Sequence, residues 1–201
     1  MHNQPSSTLD IEQHPLQPFL PEAARLLMLG SFPPQQKRWS MNFFYPNLQN
    51  DMWRIMGLLF HGDRNHFVDT AARKFRQTEV EQFCTEHGIA LYDTATAVRR
   101  LQGNASDKFL EVVQPTDIAS LLDAMPQCQA IVTTGQKATD IIRSQIEVEE
   151  PKVGESCPFL FEDRTLRLYR MPSSSRAYPL NIEKKASAYR FMLKDLGILC
   201  Q

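Results

Sequence analysis

Apolar residues fall along this 201-residue chain in two alternating ways, as short unbroken runs and as positions three and four apart. Arg25-Leu26-Leu27-Met28-Leu29-Gly30 is an apolar run closed by glycine, which predicts a buried strand opening into a loop. From Asp51 to Phe60, the apolar positions Met52, Ile55, Met56 and Leu59 recur at helical spacing. Val68 to Glu86 predicts a second helix, with Ala71, Phe75 and Phe83 as core contacts. Gly88 breaks that pattern, and Ile89 to Asp93 predicts a second strand. A short helix follows over Asp117 to Ala124, after Pro115. Ala130 to Thr134 predicts a third strand, closed by Gly135 before a helix over Gln136 to Arg143. Pro151 to Cys157 reads as a loop, and Phe159 to Phe161 with Leu166 to Tyr169 reads as a hairpin or a strand after a turn. Met171 to Pro179 is a serine-rich loop, and Ile182 to Leu196 is a final amphipathic helix. Residues 1–20, polar and carrying Pro5, Pro15 and Pro18, show no sustained period and predict a loose or wrapping N-terminal arm. Residues 21–201 then form one domain.

Strands alternating with helices predict a parallel sheet covered on both faces, an α/β fold. Ligands of such sheets bind beyond the carboxyl ends of the strands. Three segments fall there: Gly30 to Tyr45, Thr133 to Lys137, and Met171 to Arg176. Topology alone therefore predicts that they converge on one site.

Composition adds bounds to this picture. An apolar fraction of 42% and a charged fraction of 22% are those of an ordinary globular protein. No apolar run reaches membrane-spanning length, and the N-terminus lacks a charged-then-apolar signal pattern, which predicts a soluble, cytoplasmic protein. Cys84, Cys128, Cys157 and Cys200 are widely spread, with no C-x-x-C pair, and read as buried or incidental thiols rather than metal ligands. The net charge of −1 lacks the basic surplus of strong non-specific DNA binders, though it leaves room for a local basic face.

Candidate chemistry is concentrated in the loops. Gly30-Ser31-Phe32-Pro33-Pro34 is a close turn stiffened by two prolines, and a plain strand-to-loop transition accounts for it equally well. It lacks the glycine and lysine spacing of nucleotide-phosphate motifs. Phe43-Phe44-Tyr45 caps the core or forms a stacking platform for a base. Asn47, Asn50 and Asp51 precede the Trp53 helix as caps, or orient a water toward an electrophilic carbon. Ser173-Ser174-Ser175 offers hydroxyls and amides for phosphate, and Arg176 adds charge; a flexible loop is the plainer account. No Ser/His/Asp order stands out among the histidines. His2 and His14 lie in the arm, His61 and His66 near a turn, and His87 at a helix C-terminus, where positive charge suits the dipole.

Taken together, these segments resemble the uracil-DNA glycosylase superfamily, nearest its mismatch-specific uracil and hypoxanthine-DNA glycosylase branches. Leu27 to Pro33 looks like the first motif, a strand ending in a Gly-x-x-Pro loop. Tyr45 to Trp53 looks like the next segment, in which an aromatic precedes His-Pro-x-Asn and a Trp; here Asn47-Leu48 replaces His-Pro. Gly88 to Asp93 resembles the second strand, and Arg100 to Asp107 its Arg-x-Gly-Ser-x-Asp tail. Thr134 to Ala138 is similar to the Gly-Lys-x-Ala turn, and Met171 to Arg176 to the motif that inserts into the duplex.

The resemblance implies a three-layer α/β/α sandwich with a central four-stranded parallel sheet, no cofactor and no metal. It implies a monomer acting on DNA that contains damaged or mismatched bases, by base flipping and hydrolysis of the N-glycosidic bond. Tyr45 matches the aromatic that stacks on the extruded base. Gly30, Ser31, Phe32, Pro33 and Thr134 match the rest of the base pocket. Met171, Pro172, Ser173, Ser174, Ser175 and Arg176 match the DNA-gripping loop. Phe32 occupies the position where many members place a water-activating Asn or Asp, and it cannot polarise water. The hypoxanthine branch uses the Asn of its second segment, which matches Asn50, so Asn50 is the catalytic candidate. No lysine of the first motif is placed for a Schiff base, so no lyase activity is expected. Two other classes remain: a non-enzymatic binder of modified bases that keeps the fold, and a doubly wound enzyme acting on a small nucleoside.

Overall fold

The structure, a computed structural model, describes residues 10–101 and 109–200. In chain order the first elements are β1 (Ile11–Gln13), β2 (Leu26–Gly30), α1 (Met52–His61), β3 (Val68–Asp69), β4 (Lys74–Phe75), α2 (Gln77–Glu86) and β5 (Ile89–Asp93). They are followed by β6 (Ala95–Arg100), β7 (Leu110–Pro115), α3 (Ile118–Asp123), β8 (Ala130–Thr134) and α4 (Gln136–Arg143). The chain then forms β9 (Ser156–Phe161), β10 (Arg164–Met171) and α5 (Ile182–Asp195). Most of the segment from Arg100 to Asp107 lies outside the described residues, as do residues 1–9.

The unbroken apolar runs become the centre of an α/β fold. The main sheet has the order β5-β2-β8-β10-β9. β2 runs parallel to β5 and β8, and β8 parallel to β10, while β9 pairs antiparallel with β10. The expected four parallel strands are therefore present, but the sheet has five, because the turn at Glu162-Asp163 folds β9 back as an edge strand. Every residue of β2, β5 and β8 is buried, which requires cover on both faces. Part of that cover comes from α2 against β5, α4 against β8 and α5 against β10. Parallel pairing sends Gly30, Asp93, Thr134 and Met171 to the same edge of the sheet, since Gly30 pairs with Asp93 and Met171 with Thr134.

One expectation changes, and two regions left open by the sequence take a definite form. Val68 to Glu86 is one helix only from Gln77 onward. Its first part is the β3–β4 hairpin, in which Val68 pairs with Phe75 and Arg73 takes a φ of 53°. A left-handed residue cannot continue an α-helix, and Phe67, Val68 and Phe75 are buried by pairing instead, leaving Ala71 exposed. Residues 95–115, which carry no clear period, form β6 and β7 and join β1 in a second sheet of order β1-β6-β7. Register shifts between Ala95 and Val98 break the alternation that would have revealed β6.

The second such region is the arm. Of the two forms open to it, residues 10–20 take the wrapping one. Ile11–Gln13 pairs antiparallel with Ala97–Arg99, and Phe19 exchanges backbone hydrogen bonds with Leu91. The imidazole of His14 is carried by this path into the interior, with its side chain 2% exposed.

Candidate active site

At the carboxyl edge of the sheet, five loops close around a cleft of about 790 Å³, a volume within the ~300–1,000 Å³ typical of small-ligand pockets. Its wall includes Gly30 to Pro33, Tyr45, Asn50, Asp93, Thr134 and Ser173 to Arg176. Segments more than a hundred residues apart thus converge as the topology requires.

The aromatic triplet divides its labour. Phe43 and Phe44 are buried in the core, edge-on to each other at 5.2 Å, and the Phe44 carbonyl accepts from Trp53 Nε1 at 3.0 Å. Tyr45 takes a φ of 51° and turns its ring out of that stack into the cleft, where it remains half-buried. Trp53 supports the ring edge-on at 6.2 Å. The Tyr45 hydroxyl lies 3.2 Å from Thr134 Oγ1, which itself donates toward the Leu29 carbonyl at 3.4 Å. Either hydroxyl can donate in that pair. Burial, with the Asp93 charge adding to it, pushes the phenol well above its ordinary range, so it stays protonated.

Asn50 stands further along the same loop, half-buried and bridged to Ser175 of the serine loop. Its Oδ1 accepts from the Met52 backbone N–H at 2.9 Å, which fixes the side chain at the start of α1. The helix N-cap itself is Asp51, whose side chain makes no capping bond, so Asn50 closes an Asx turn just before the helix. Behind it, Asp51 is 6% exposed and holds Arg176 Nε at 2.9 Å and Lys185 Nζ at 3.3 Å. Lys185, fully buried on α5, also donates to the Ser175 carbonyl at 2.8 Å. Backbone bonds from Asp51 N–H to the Ser174 carbonyl (2.8 Å) and from Arg176 N–H to the Gln49 carbonyl (3.0 Å) complete the clamp. Sequence reasoning missed Asp51–Lys185, a contact spanning 134 positions without any local signal.

The serine loop is split by its position. Ser173, Ser175 and Arg176 face the cleft or its rim, and Ser174 lines it while being 2% exposed. Met171 and Pro172 do not belong to this surface. Met171 ends β10 inside the core at 1% exposure, and Pro172 is buried with its carbonyl accepting from Tyr189. The expectation that both grip DNA is corrected accordingly, because β10 runs two residues further than its apolar pattern indicates.

Phe32 is 8% exposed and packs on Ala95, Val98 and Leu110 rather than projecting freely. The Arg100 guanidinium lies 5.6 Å from its ring centre, donates to the Pro33 carbonyl and pairs with Glu12 at 2.9 Å. Phe32 is thus a wall, braced by a cation. Two further groups emerge that the sequence left unassigned. Asp93, at the end of β5, presents Oδ1 so close to Gly30 that a Cβ there would lie 2.4 Å from it. His14 Nε2 holds the other oxygen, Oδ2, at 2.9 Å. The carboxyl-end rule that singled out Gly30 and Thr134 points equally at Asp93; nothing local points to His14. Among the described residues no three His, Cys, Asp or Glu side chains gather to hold a metal ion, and no helix is long and apolar enough to cross a membrane.

Among solved structures, the chain shares its fold with a Methanosarcina acetivorans protein described as a candidate uracil DNA glycosylase, determined by solution NMR. The TM-score is 0.60 at 22% identity, over 91% of this chain and 99% of that chain. No family model and no curated protein matches the sequence. At this identity the likeness is one of fold.

Proposed function

We propose that the protein is a monofunctional DNA glycosylase of the uracil-DNA glycosylase superfamily, hydrolysing the N-glycosidic bond of a flipped deaminated base, uracil or hypoxanthine. The observation that carries this is that Tyr45 and Asn50, both on the loop between β2 and α1, line one cleft at the carboxyl edge of the sheet. The shared fold supports it, as does the serine loop at the cleft's rim.

A base turned out of the duplex costs a few kcal/mol, least at a mismatch. Its ring stacks on Tyr45, while the backbone near Ser31 and Phe32, with Thr134, meets its polar edge. As the C1′–N bond loosens, positive charge grows on the sugar and negative charge on the base. Asn50 holds a water beneath C1′: one lone pair of Oδ1 serves Met52 N–H, and the second accepts from the water. That double use makes the amide rigid before substrate arrives. Ser173, Ser175 and Arg176 meet the phosphates on either side of the extruded nucleotide. Lys185 is fully buried and bound to Asp51, which suits hydrolysis without a covalent amine intermediate.

The test is a panel of duplexes carrying uracil or hypoxanthine opposite each base, treated with the full chain and then with alkali. Strand breaks at the lesion are expected. Salt-sensitive binding to lesion DNA without any break would instead identify a binder that keeps the fold, and release from free nucleosides alone would identify a nucleoside hydrolase.

A further inference from the structure

A second cavity, of about 490 Å³, adjoins the cleft and shares Phe32, Pro33, Pro34 and Arg100 with it. Its volume lies within the ~300–1,000 Å³ of small-ligand pockets. The shared residues form a partition that is fixed from behind. Arg100, its side chain 6% exposed, binds Glu12 through Nε at 2.9 Å and donates to the Pro33 carbonyl through Nη2. Its guanidinium also lies against the Phe32 ring. The remaining walls have two sources. The arm supplies Gln13 and Pro15, laid there by the pairing of β1 with β6. The loop after β2 supplies Gln36 and Lys37 from its single 3-10 turn, Gln36–Arg38. Among the described residues, neither glutamine amide has a hydrogen-bond partner and the Lys37 ammonium has no ion-pair partner. Lys37 and Arg38 are consecutive in that turn yet border different cavities, Arg38 the cleft and Lys37 its neighbour.

These groups suit one kind of occupant. The prolines offer an apolar slot to a flat ring. A glutamine amide both donates and accepts, as the edge of a nucleobase requires, and an unpaired ammonium meets a phosphate. Neighbouring cations that serve neighbouring cavities match the repeat of a nucleic-acid strand, one phosphate to each base. We propose that the second cavity is a subsite for the base next to the flipped one on the same DNA strand. Gln13 and Gln36 read the edge of that base, and Lys37 holds its phosphate. This subsite presupposes the glycosylase function proposed above. A neighbour still stacked and paired in the duplex cannot enter, so the subsite fills in single-stranded DNA, where no pairing has to be broken. The arm thereby gains a role in recognition, because its pairing with Ala97–Arg99 builds one wall of the subsite.

The test is equilibrium binding of the full chain to single-stranded oligonucleotides carrying 2′-fluorodeoxyuridine, whose electron-poor sugar resists hydrolysis. The nucleotide on its 5′ side, or on its 3′ side, is replaced by a tetrahydrofuran linker that keeps the phosphate and lacks the base. Removing the base on one side is expected to weaken binding roughly tenfold, and removing it on the other side to change little. In a variant combining Gln13→Ala and Gln36→Ala, both exposed positions, the same removal should cost less than about threefold. Lys37→Ala should lower the salt slope by about 0.7. Equal tolerance of the linker on both sides overturns the subsite, and so does an undiminished loss in the glutamine variant or an unchanged slope for Lys37→Ala. Release of uracil from the matching hydrolysable strand is measured in parallel. One-sided loss of binding without release would sink the glycosylase function and leave a nucleotide subsite standing. Release with no effect of either neighbour would sink the subsite alone, and no binding to any strand would sink both.

Discussion

Asn50 shows how a turn-forming residue ahead of a helix and a candidate catalytic residue become the same side chain. Replacing it with alanine removes the acceptor for Met52 N–H, at a cost of about 1 kcal/mol, and removes the water's anchor. Asn50→Ala should therefore lose at least roughly 10²-fold in base release while the melting temperature falls only slightly; unchanged release would clear Asn50 of the chemistry. Gly30 is sensitive for a different reason. A methyl group there meets Asp93 Oδ1 at 2.4 Å and forces the carboxylate away from His14. Gly30→Ala should slow single-turnover release at least about tenfold, as expected when a wall that positions the base is displaced, in a protein that still folds. The sequence made Tyr45 visible as an aromatic in a polar loop, but it gave no means of separating it from Phe43 and Phe44. Only the left-handed turn at Tyr45 does so.

At the scale of elements, the strands were the legible part. β2, β5 and β8 end where glycine, aspartate and threonine close their apolar runs, because a strand buried on both faces leaves an unbroken signature. Short or bulged strands leave none, and β3, β4, β6 and β7 went unread for that reason. Contacts between elements were equally silent. The Asp51 clamp joins α1, α5 and the serine loop through a lysine that looks, in the sequence, like one more surface charge of a final helix. Lys185→Met would leave Asp51 buried beside Arg176 alone and the Ser175 carbonyl without its donor. Breaking such a pair costs about 3–5 kcal/mol, and calorimetry should show a melting temperature lower by roughly 6–12 °C. A shift under a degree or two would mean that the clamp is redundant.

For the whole molecule, charge and pH make separate forecasts. With a net charge of −1, the proposed affinity for DNA would draw, among the described residues, on the cations near the cleft mouth, Lys37, Arg38 and Arg176. Three phosphate contacts predict a salt slope of about −3 at most, and a steeper slope in a binding titration would reveal a basic face elsewhere. His87 ends α2, where the helix dipole favours its charge, yet it lies 4.5 Å from both Phe60 and Phe83. Burial prevails and holds the ring below its ordinary value of 6.5. The unfolded chain then binds the extra proton first, so stability is lost as pH falls through that value. His87→Gln should flatten the fall in melting temperature between neutral and mildly acidic pH; an unaltered pH dependence would place its origin elsewhere.

Tyr45 has one consequence for engineering. A tyrosine at φ 51° occupies backbone territory that glycine holds without penalty, and such strain costs of order 1–3 kcal/mol. Losing the ring gives up burial of similar size, so Tyr45→Gly should fold about as well as the parent. A screen that selects for thermal robustness alone would therefore pass the variant without its stacking ring, and stability and activity would have to be assayed together at this position.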